Sequence, residues 1–378
     1  MKFRCFLALF GALLPLIFAT CALAASVETP AREAIIFDAQ TQTELLAKNA
    51  DEKMPPSSMS KLMTAYVVFD QLKSGKLKLD DTFKISQKAW ATQGSKMFVD
   101  INSDVKIEDL LRGMIIQSGN DACVALAEGI SGNEESFAIL MNETAKRIGL
   151  TNSYFVNASG WPDPNHYRTA RDLLILGQRR IADFPEYMHY YKELDFTYHK
   201  IKQGNRNPLL YGFPGADGLK TGHTEDAGYG LVGTALRDGR RVIMVVNGLK
   251  SMQERSDESK RLMEWAYREF RNYAIVKPGQ VIGEIPVWMG EKDKVSLTAK
   301  DDIFLTVANA DRANVTIKLK YNQPVVAPIA ADQPIAALSV QIGAGQSRDY
   351  PLYASENIAK LGLISRITKG IGYILTGQ

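Results

Sequence analysis

The sequence predicts a chain in two parts: an α/β (α+β) domain first and a small all-β domain second, closed by an amphipathic helix. Three observations carry this. Up to about Tyr273, helical periodicities alternate with short strand patterns. From about Lys277, short alternating segments follow one another between Gly, Pro, Asn and Asp turns. The final stretch, Ser355 to Gln378, becomes helical again. At 378 residues with 46% hydrophobic content, the chain is long enough to build two cores. A net charge of +3, without a basic run or a zinc-type Cys/His spacing, gives no reason to expect a nucleic-acid partner.

Residues 1–24 read as a cleaved signal peptide: Lys2 and Arg4 precede an apolar run that ends in Ala22-Leu23-Ala24, a small-x-small cleavage pattern. An exported protein is therefore expected. Phe18-Ala19-Thr20 makes a poor lipidation box for Cys21. Removing the segment takes Cys5 and Cys21 with it, so Cys123 remains with no cysteine to pair with in the chain.

Two strands are expected at Glu33–Asp38 and Thr43–Ala47, around the polar turn Ala39-Gln40-Thr41-Gln42. A helix follows over Ser58–Lys73, with Leu62, Ala65, Val68, Phe69 and Leu72 as its buried stripe. Pro55 and Pro56 forbid an earlier start and Gly75 supplies the stop. Helical patterns at Ile107–Ile116 and Asp121–Ile130 are interrupted by Gln117-Ser118-Gly119-Asn120. A Tyr-rich region holding His189 and His199 reads as helical. Strands at Tyr229–Leu236 and Arg241–Leu249 flank an Asp-Gly hairpin turn. The domain boundary falls near Tyr273–Lys277, before short strands at Val295–Leu297, Ile303–Val307, Val315–Leu319 and Ala336–Ile342. In the tail, Leu361, Leu363, Ile364, Ile367, Ile371, Ile374 and Leu375 gather on one side of a helical wheel, opposite Arg366, Lys369 and Tyr373. Gly362, Gly370 and Gly372 weaken that helix, which is expected to order on an anionic bilayer surface without spanning it.

Three polar clusters punctuate this framework: Ser58-Met59-Ser60-Lys61, Ser118-Gly119-Asn120 and Lys220-Thr221-Gly222. Residues at i and i+3 share a helix face, so Ser58 and Lys61 can point into one cleft while Ser60 turns away. A serine hydroxyl becomes a nucleophile when a neighbouring base takes its proton. A lysine can be that base when burial and a second cation, here Lys220, lower its pKa. Singly, each cluster is more simply a helix cap, a turn or a strand end. Together, with Ser118 and Lys220 lying 60 and 162 residues after Ser58, they match the Ser-x-x-Lys, Ser-x-Asn and Lys-Thr-Gly set of penicillin-recognising serine enzymes.

The chain most closely resembles the D-alanyl-D-alanine carboxypeptidases among the low-molecular-mass penicillin-binding proteins. The likeness extends to the wording around the motifs: KAWAT, QSGNDACVALAEG, TARDL and DGLKTGHT. The resemblance implies a β-lactamase/transpeptidase-like catalytic domain over 25–275, an antiparallel sheet flanked by helices. A β-rich domain over 276–354 and a membrane-associating helix over 355–378 would follow. It implies Ser58 as nucleophile, Lys61 as general base and Ser118 as a hydroxyl relay between Lys61, Lys220 and the leaving group. Asn120 would bind a peptide group of the substrate. Thr221 would meet the terminal carboxylate together with Arg255, whose planar fork suits a carboxylate. The backbone N–H groups of Ser58 and His223, beside Gly222, would form the oxyanion hole. No cofactor or metal is implied, and His166, His189 and His199 lack ligand spacing. The implied partners are the peptidoglycan stem peptide, β-lactams as covalent inhibitors, and an anionic membrane on the periplasmic face of the inner membrane.

Cys123, three residues after Asn120, is expected to be a small buried hydrophobe. Packing is likewise the simpler role for Tyr187, Tyr190, Tyr191, Phe196 and Tyr198. Three rival functions fit less well. A class A β-lactamase needs a deacylating glutamate, and Thr144 to Pro185 holds none. A penicillin sensor needs an uncleaved apolar span, which is missing after the signal segment. A D,D-endopeptidase has less use for Thr221 and Arg255 beside a free carboxylate.

Overall fold

The computed structural model describes residues 27–376, apart from Gln346; the segment 1–24 read as a signal peptide lies outside the described residues. Five antiparallel strands form the central sheet: β1 (Glu33–Asp38), β2 (Thr43–Lys48), β3 (Ala216–Thr224), β4 (Gly228–Arg237) and β5 (Arg240–Leu249). Their order across the sheet is β2-β1-β5-β4-β3, which leaves β3 at an edge. The β4–β5 hairpin closes between Arg237 and Arg240 through Asp238 (φ 49°) and Gly239 (φ 78°). Two left-handed residues in the turn match the right-handed twist of the strands, which is why Asp-Gly stands there.

Strand alternation splits the interior in two. Ile35, Val232, Ile243 and Val245 face one side and pack with α1 (Lys61–Lys73), α2 (Ile107–Ile116), α3 (Asn120–Ser131) and α4 (Ala170–Asp183). Ala34, Ile36, Leu231, Met244 and Val246 face the other side and pack with α5 (Met252–Glu269) through Leu262, Met263 and Ala266. The expected stripe of α1 is buried, but so are Met63, Thr64, Tyr66 and Val67 on its other faces. An all-round apolar helix is a central one. Truncating a side chain such as Phe69 there would cost about 3–5 kcal/mol.

The Tyr-rich region departs from the helical expectation. Helix is confined to a 3-10 turn at Pro185–Tyr187 and the short His189–Lys192; Asp195–Tyr198 and Ile201–Gly204 pair as an antiparallel ribbon, with His199 in its turn at φ 44°. Tyr190, Tyr191 and Phe196 are core residues, and the Tyr187 ring stacks on Phe69 at 4.6 Å.

Helix α5 runs straight into the strand Phe270–Val276, which pairs with Ile303–Ala308. Strands between Val281 and Ala354 form a six-stranded sheet over a separate core that includes Ile285, Leu297, Leu305 and Leu352. The tail differs from expectation at its start. Residues 355–362 stay with this domain: Ile358 is buried in its core and bridges Ile329, and Lys360 bridges Gly290. Backbone pairing and burial of Ile358 override the local helical pattern there. The helix α6 covers Leu363–Thr376, and Leu363, Ile364, Ile367, Ile371, Ile374 and Leu375 are each more than half exposed.

A buried carboxylate joins the two parts. Asp38, at the end of β1 and inaccessible to solvent, accepts from Arg240 Nε at 2.6 Å, from Asn272 Nδ2 at 3.1 Å and from the Thr41 backbone N–H at 3.0 Å. Asn272 Oδ1 in turn accepts from Thr306 of the partner strand at 2.8 Å. Removing one member of such a pair leaves an uncompensated buried charge. Asp38→Ala should therefore lower the stability of the chain by about 3–5 kcal/mol in denaturant titration. A loss below about 1 kcal/mol, the range of an exposed pair, would show that the junction does not depend on it.

Candidate active site

Pro55 and Pro56 hold the chain extended into Ser57 (φ −160°), which precedes a 3-10 turn, Ser58–Ser60, that continues as α1. The helix expected to begin at Ser58 thus starts tightly wound, and in a 3-10 turn side chains at i and i+3 eclipse one another. Lys61 consequently stands over Ser58. Its ammonium donates to Ser58 Oγ at 2.9 Å, to Asn120 Oδ1 at 2.8 Å and to the Ser159 carbonyl at 2.7 Å. All three N–H bonds are used, which is what a buried ammonium requires. Burial lowers the Lys61 pKa to about 8.

Close packing fixes the turn from behind. The buried Arg168 guanidinium donates to Ser57 Oγ at 2.6 Å and to the Pro55 carbonyl at 2.9 Å. Ser60 Oγ pairs with His166 Nε2 at 3.0 Å, away from Lys61. A Cβ at Gly222 would lie 2.2 Å from Ser57 Oγ, and one at Gly160 would lie 2.1 Å from the Ser57 carbonyl oxygen. Both positions exclude any side chain, so the glycine of the Lys-Thr-Gly motif is a steric requirement of the serine turn.

Ser118 occupies the left-handed region at φ 68°, a conformation that costs a non-glycine residue about 1–3 kcal/mol. Its Oγ is buried and has no hydrogen-bond partner among the described residues. The bonds to Lys61 and Lys220 implied for a relay are thus not made in this state. Asn120, on the first turn of α3, holds a neighbouring loop: its backbone N–H donates to the Ser95 carbonyl at 2.7 Å and its Nδ2 to the Gln93 carbonyl at 2.8 Å. The inaccessible Asp121 carboxylate receives the backbone N–H groups of Met97 and Phe98 at 2.9 Å each and of Val99 at 3.3 Å.

Lys220, Thr221 and Gly222 lie inside the edge strand β3, where the sequence suggested a strand end. Lys220 is buried, and its pKa falls well below the ordinary lysine value through desolvation first and then the nearby charges of Lys61 and Arg206. Arg255, also buried, is lowered to about 10 by desolvation and donates to the Arg206 carbonyl at 3.5 Å. Among the described residues, none of Lys61, Lys220, Arg206 and Arg255 has an ion-pair partner. Basic side chains gathered together without a direct ion-pair partner make a site for an anion. Arg206, which also donates to Ser95 Oγ at 2.8 Å, is the member that sequence reading missed. It stands in the loop Asn205-Arg206-Asn207, which carries no local motif. His223 is exposed and stacks on Tyr229 at 3.9 Å. Cys123 is buried and its thiol donates to the Gly119 carbonyl at 3.2 Å.

A serine hydroxyl held on a buried lysine of lowered basicity, beside an unpaired cation cluster, defines a serine acyl-transfer site. Residues 20–251 match the Peptidase S11 family, described as D-alanyl-D-alanine carboxypeptidase, and residues 270–360 match the C-terminal domain of penicillin-binding protein 5. The chain belongs to the D-alanyl-D-alanine carboxypeptidase family of hydrolases. It is 39% identical to the D-alanyl-D-alanine carboxypeptidase DacC of Escherichia coli, over 93% of this chain and 91% of that protein. It is 37% identical to DacA of Haemophilus influenzae, over 88% of this chain and 86% of that one. Among solved structures, penicillin binding protein 5 from Haemophilus influenzae superposes with a TM-score of 0.79 at 38% identity, covering 88% of this chain and 99% of that one. The ampicillin-bound form of penicillin-binding protein D2 from Listeria monocytogenes superposes with a TM-score of 0.58 at 31% identity, covering 63% of this chain and 97% of that one.

Asp121 is the anchor of the loop that Asn120 touches. Asp121→Ala would orphan the backbone N–H groups of Met97, Phe98, Val99 and Ala122 and should lower stability by about 2–3 kcal/mol, in the range of hydrogen bonds to a charged group. Hydrogen exchange at Met97, Phe98 and Val99 should accelerate more than at α1. Unchanged protection at those amides would show that the loop holds its place by other contacts.

Proposed function

We propose that Ser58 is the nucleophile of this D-alanyl-D-alanine carboxypeptidase and that it removes the terminal D-alanine from peptidoglycan pentapeptide stems. The observation that carries this reading is the three-acceptor environment of Lys61. An ammonium fills all three acceptors. A neutral amine keeps two N–H bonds, for Asn120 Oδ1 and the Ser159 carbonyl, and turns its lone pair to Ser58 Oγ. It can then accept the hydroxyl proton as the oxygen attacks the penultimate carbonyl.

The negative oxygen that forms would be received by the Ser58 and His223 backbone N–H groups. The terminal carboxylate would sit against Thr221, Arg255 and Arg206, with Lys220 adding positive charge. Ser118 would pass the proton from Lys61 to the leaving amine, and water would then hydrolyse the ester on Ser58. A β-lactam would acylate the same oxygen. The cation cluster favours a substrate with a free carboxylate beside the scissile bond.

The same reading divides the chain into an export signal at 1–24, a catalytic domain at 25–275 and a β-rich domain, with a membrane-facing helix at the end. It places the mature protein on the periplasmic face of the inner membrane. Among the described residues no helix is long and apolar enough to cross a membrane. The uncovered apolar face of α6 suits a helix lying in the bilayer interface, while on its other face Lys369 pairs with Asp293 at 2.6 Å.

The activity is tested by D-alanine release from a pentapeptide and by intact-mass analysis after exposure to penicillin. Ser58→Ala should lose both release and the adduct, while Ser60→Ala keeps both; an adduct on Ser58→Ala would move the nucleophile elsewhere. Since the neutral form of Lys61 is the base, the acylation rate constant should rise with pH up to about 8 and then level. A rate that is flat from about pH 6 to 9 would remove Lys61 from that role.

The tail is tested by sedimentation with anionic vesicles. A chain ending at Leu361 should stay folded and active but no longer sediment. Ending the chain at Ser355 removes Ile358 from the second core, so the shorter truncation is the informative one. Vesicle binding that survives loss of α6 would assign membrane contact to another surface.

A further inference from the structure

A cavity of 1160 Å³ forms a groove beside the serine turn that the catalytic reading leaves unused. Each of its walls continues a segment that also builds the active site. Pro55 and Pro56 lead into Ser58. The loop that gives the Ser159 carbonyl to Lys61 runs on to Pro162, Asp163 and His166 in the groove. Strand β3, after Lys220–Gly222, reaches the groove at Asp226, and Thr224 donates to the Pro56 carbonyl at 3.0 Å.

Direction along β3 says which end of a substrate arrives there. With the terminal carboxylate at Thr221 and the scissile carbonyl at the His223 N–H, the stem runs along the free edge of β3 in the direction of Thr224 and Asp226. Strand β3 ends at Thr224, one residue past His223, and the chain then turns through Glu225, Asp226 and Ala227. The four stem residues before the scissile bond, extended, cover about 13 Å. The far end of the stem therefore runs past the end of β3, where the groove opens, and on peptidoglycan the next group beyond it is the sugar that carries it.

The groove's chemistry suits that group. Tyr154 and Tyr167 stack with centroids 6.3 Å apart, and with the prolines they offer rings to the C–H face of a pyranose. Asp163, Asn165 and Asp226 lie at the lining for hydroxyl and N-acetyl groups. His166, which is 2% exposed, lines the groove with a ring Nδ1 that has no hydrogen-bond partner among the described residues. A buried polar atom without a partner calls for an explanation, and a ligand in the adjoining groove would supply one.

We infer that this groove binds the N-acetylated amino sugar that carries the stem peptide, so that the enzyme distinguishes sugar-linked stems from free peptides. The inference rests on the carboxypeptidase reading of the adjoining site.

The test compares D-alanine release from a disaccharide-linked pentapeptide and from the same pentapeptide without sugar. The sugar-linked substrate should have a kcat/KM about tenfold higher, mostly through KM. Tyr154→Ala, at a half-exposed ring, and Asp226→Ala, on the opposite wall, should each remove most of that advantage. Both should leave the sugar-free pentapeptide and penicillin acylation within twofold of the parent. Equal kcat/KM on the two substrates in the parent enzyme would overturn the inference while leaving the activity intact. Equal losses on both substrates in the variants would overturn it in favour of a structural role for the groove. No release from either substrate would sink the carboxypeptidase reading itself.

Discussion

The charge on Lys61 is the constraint around which the catalytic domain is organised. An ammonium removed from water costs several kcal/mol unless its N–H bonds are all met. Here the three acceptors come from the serine turn, from the first turn of α3 and from the loop after Val156. Those segments are far apart in sequence, so satisfying one side chain requires the helical layer to be assembled. The remaining desolvation penalty appears as lowered basicity, which is what a general base working near neutral pH needs. One interaction thus orders the packing and sets the chemistry.

The neighbouring cations extend the same logic. Lys220 and Arg255 are buried near Lys61 and the exposed Arg206; desolvation first, and then the charges of Lys61, Arg206 and Arg255, lower the affinity of Lys220 for its proton. Repulsion of this kind costs stability in the empty protein and is relieved by an anion. The substrate's carboxylate would therefore contribute binding energy through charges already in place, and the same approach would raise the basicity of Lys61 by offsetting its neighbours. Arg240 and Asp38, at the other end of the sheet, show the contrasting case: there the charge is paired within the protein, and it serves the junction between domains.

Much of the framework was legible in the sequence because it rests on local rules. Alternation gave β1 and the β4–β5 hairpin, the Asp-Gly turn fixed the latter's register, and the two prolines fixed the start of the serine turn. Ser58, Lys61, Ser118, Asn120 and Lys220 stood out by their spacing, which is a property of the chain. What escaped depends on tertiary contact. Arg206 joins the cluster from an unremarkable polar loop, and Ser159 contributes a backbone carbonyl, which no residue type advertises. Asp121 looked like an ordinary acidic residue opening a helix, yet it holds three amides of another segment. His199 and Ile358 were misplaced because strand pairing, in a local hairpin around His199 and with Ile329 for Ile358, overrode a helical pattern.

The glycines of the site tie these levels together. Gly222 belongs to the motif that marks the third cluster, and Gly160 belongs to no motif, yet both exist to let backbone pass within contact of Ser57. Arg168 then clamps Ser57 from the buried side, with its own pKa lowered to about 9 by burial. Ser58 is consequently held from behind by its neighbour: Ser57 fixes the turn, the turn eclipses Ser58 with Lys61, and the lysine selects the loop and helix that complete the cleft. A substitution that enlarged Gly160 would displace the serine without touching any reacting atom, which is why the structural requirements of this site reach well beyond its three motifs.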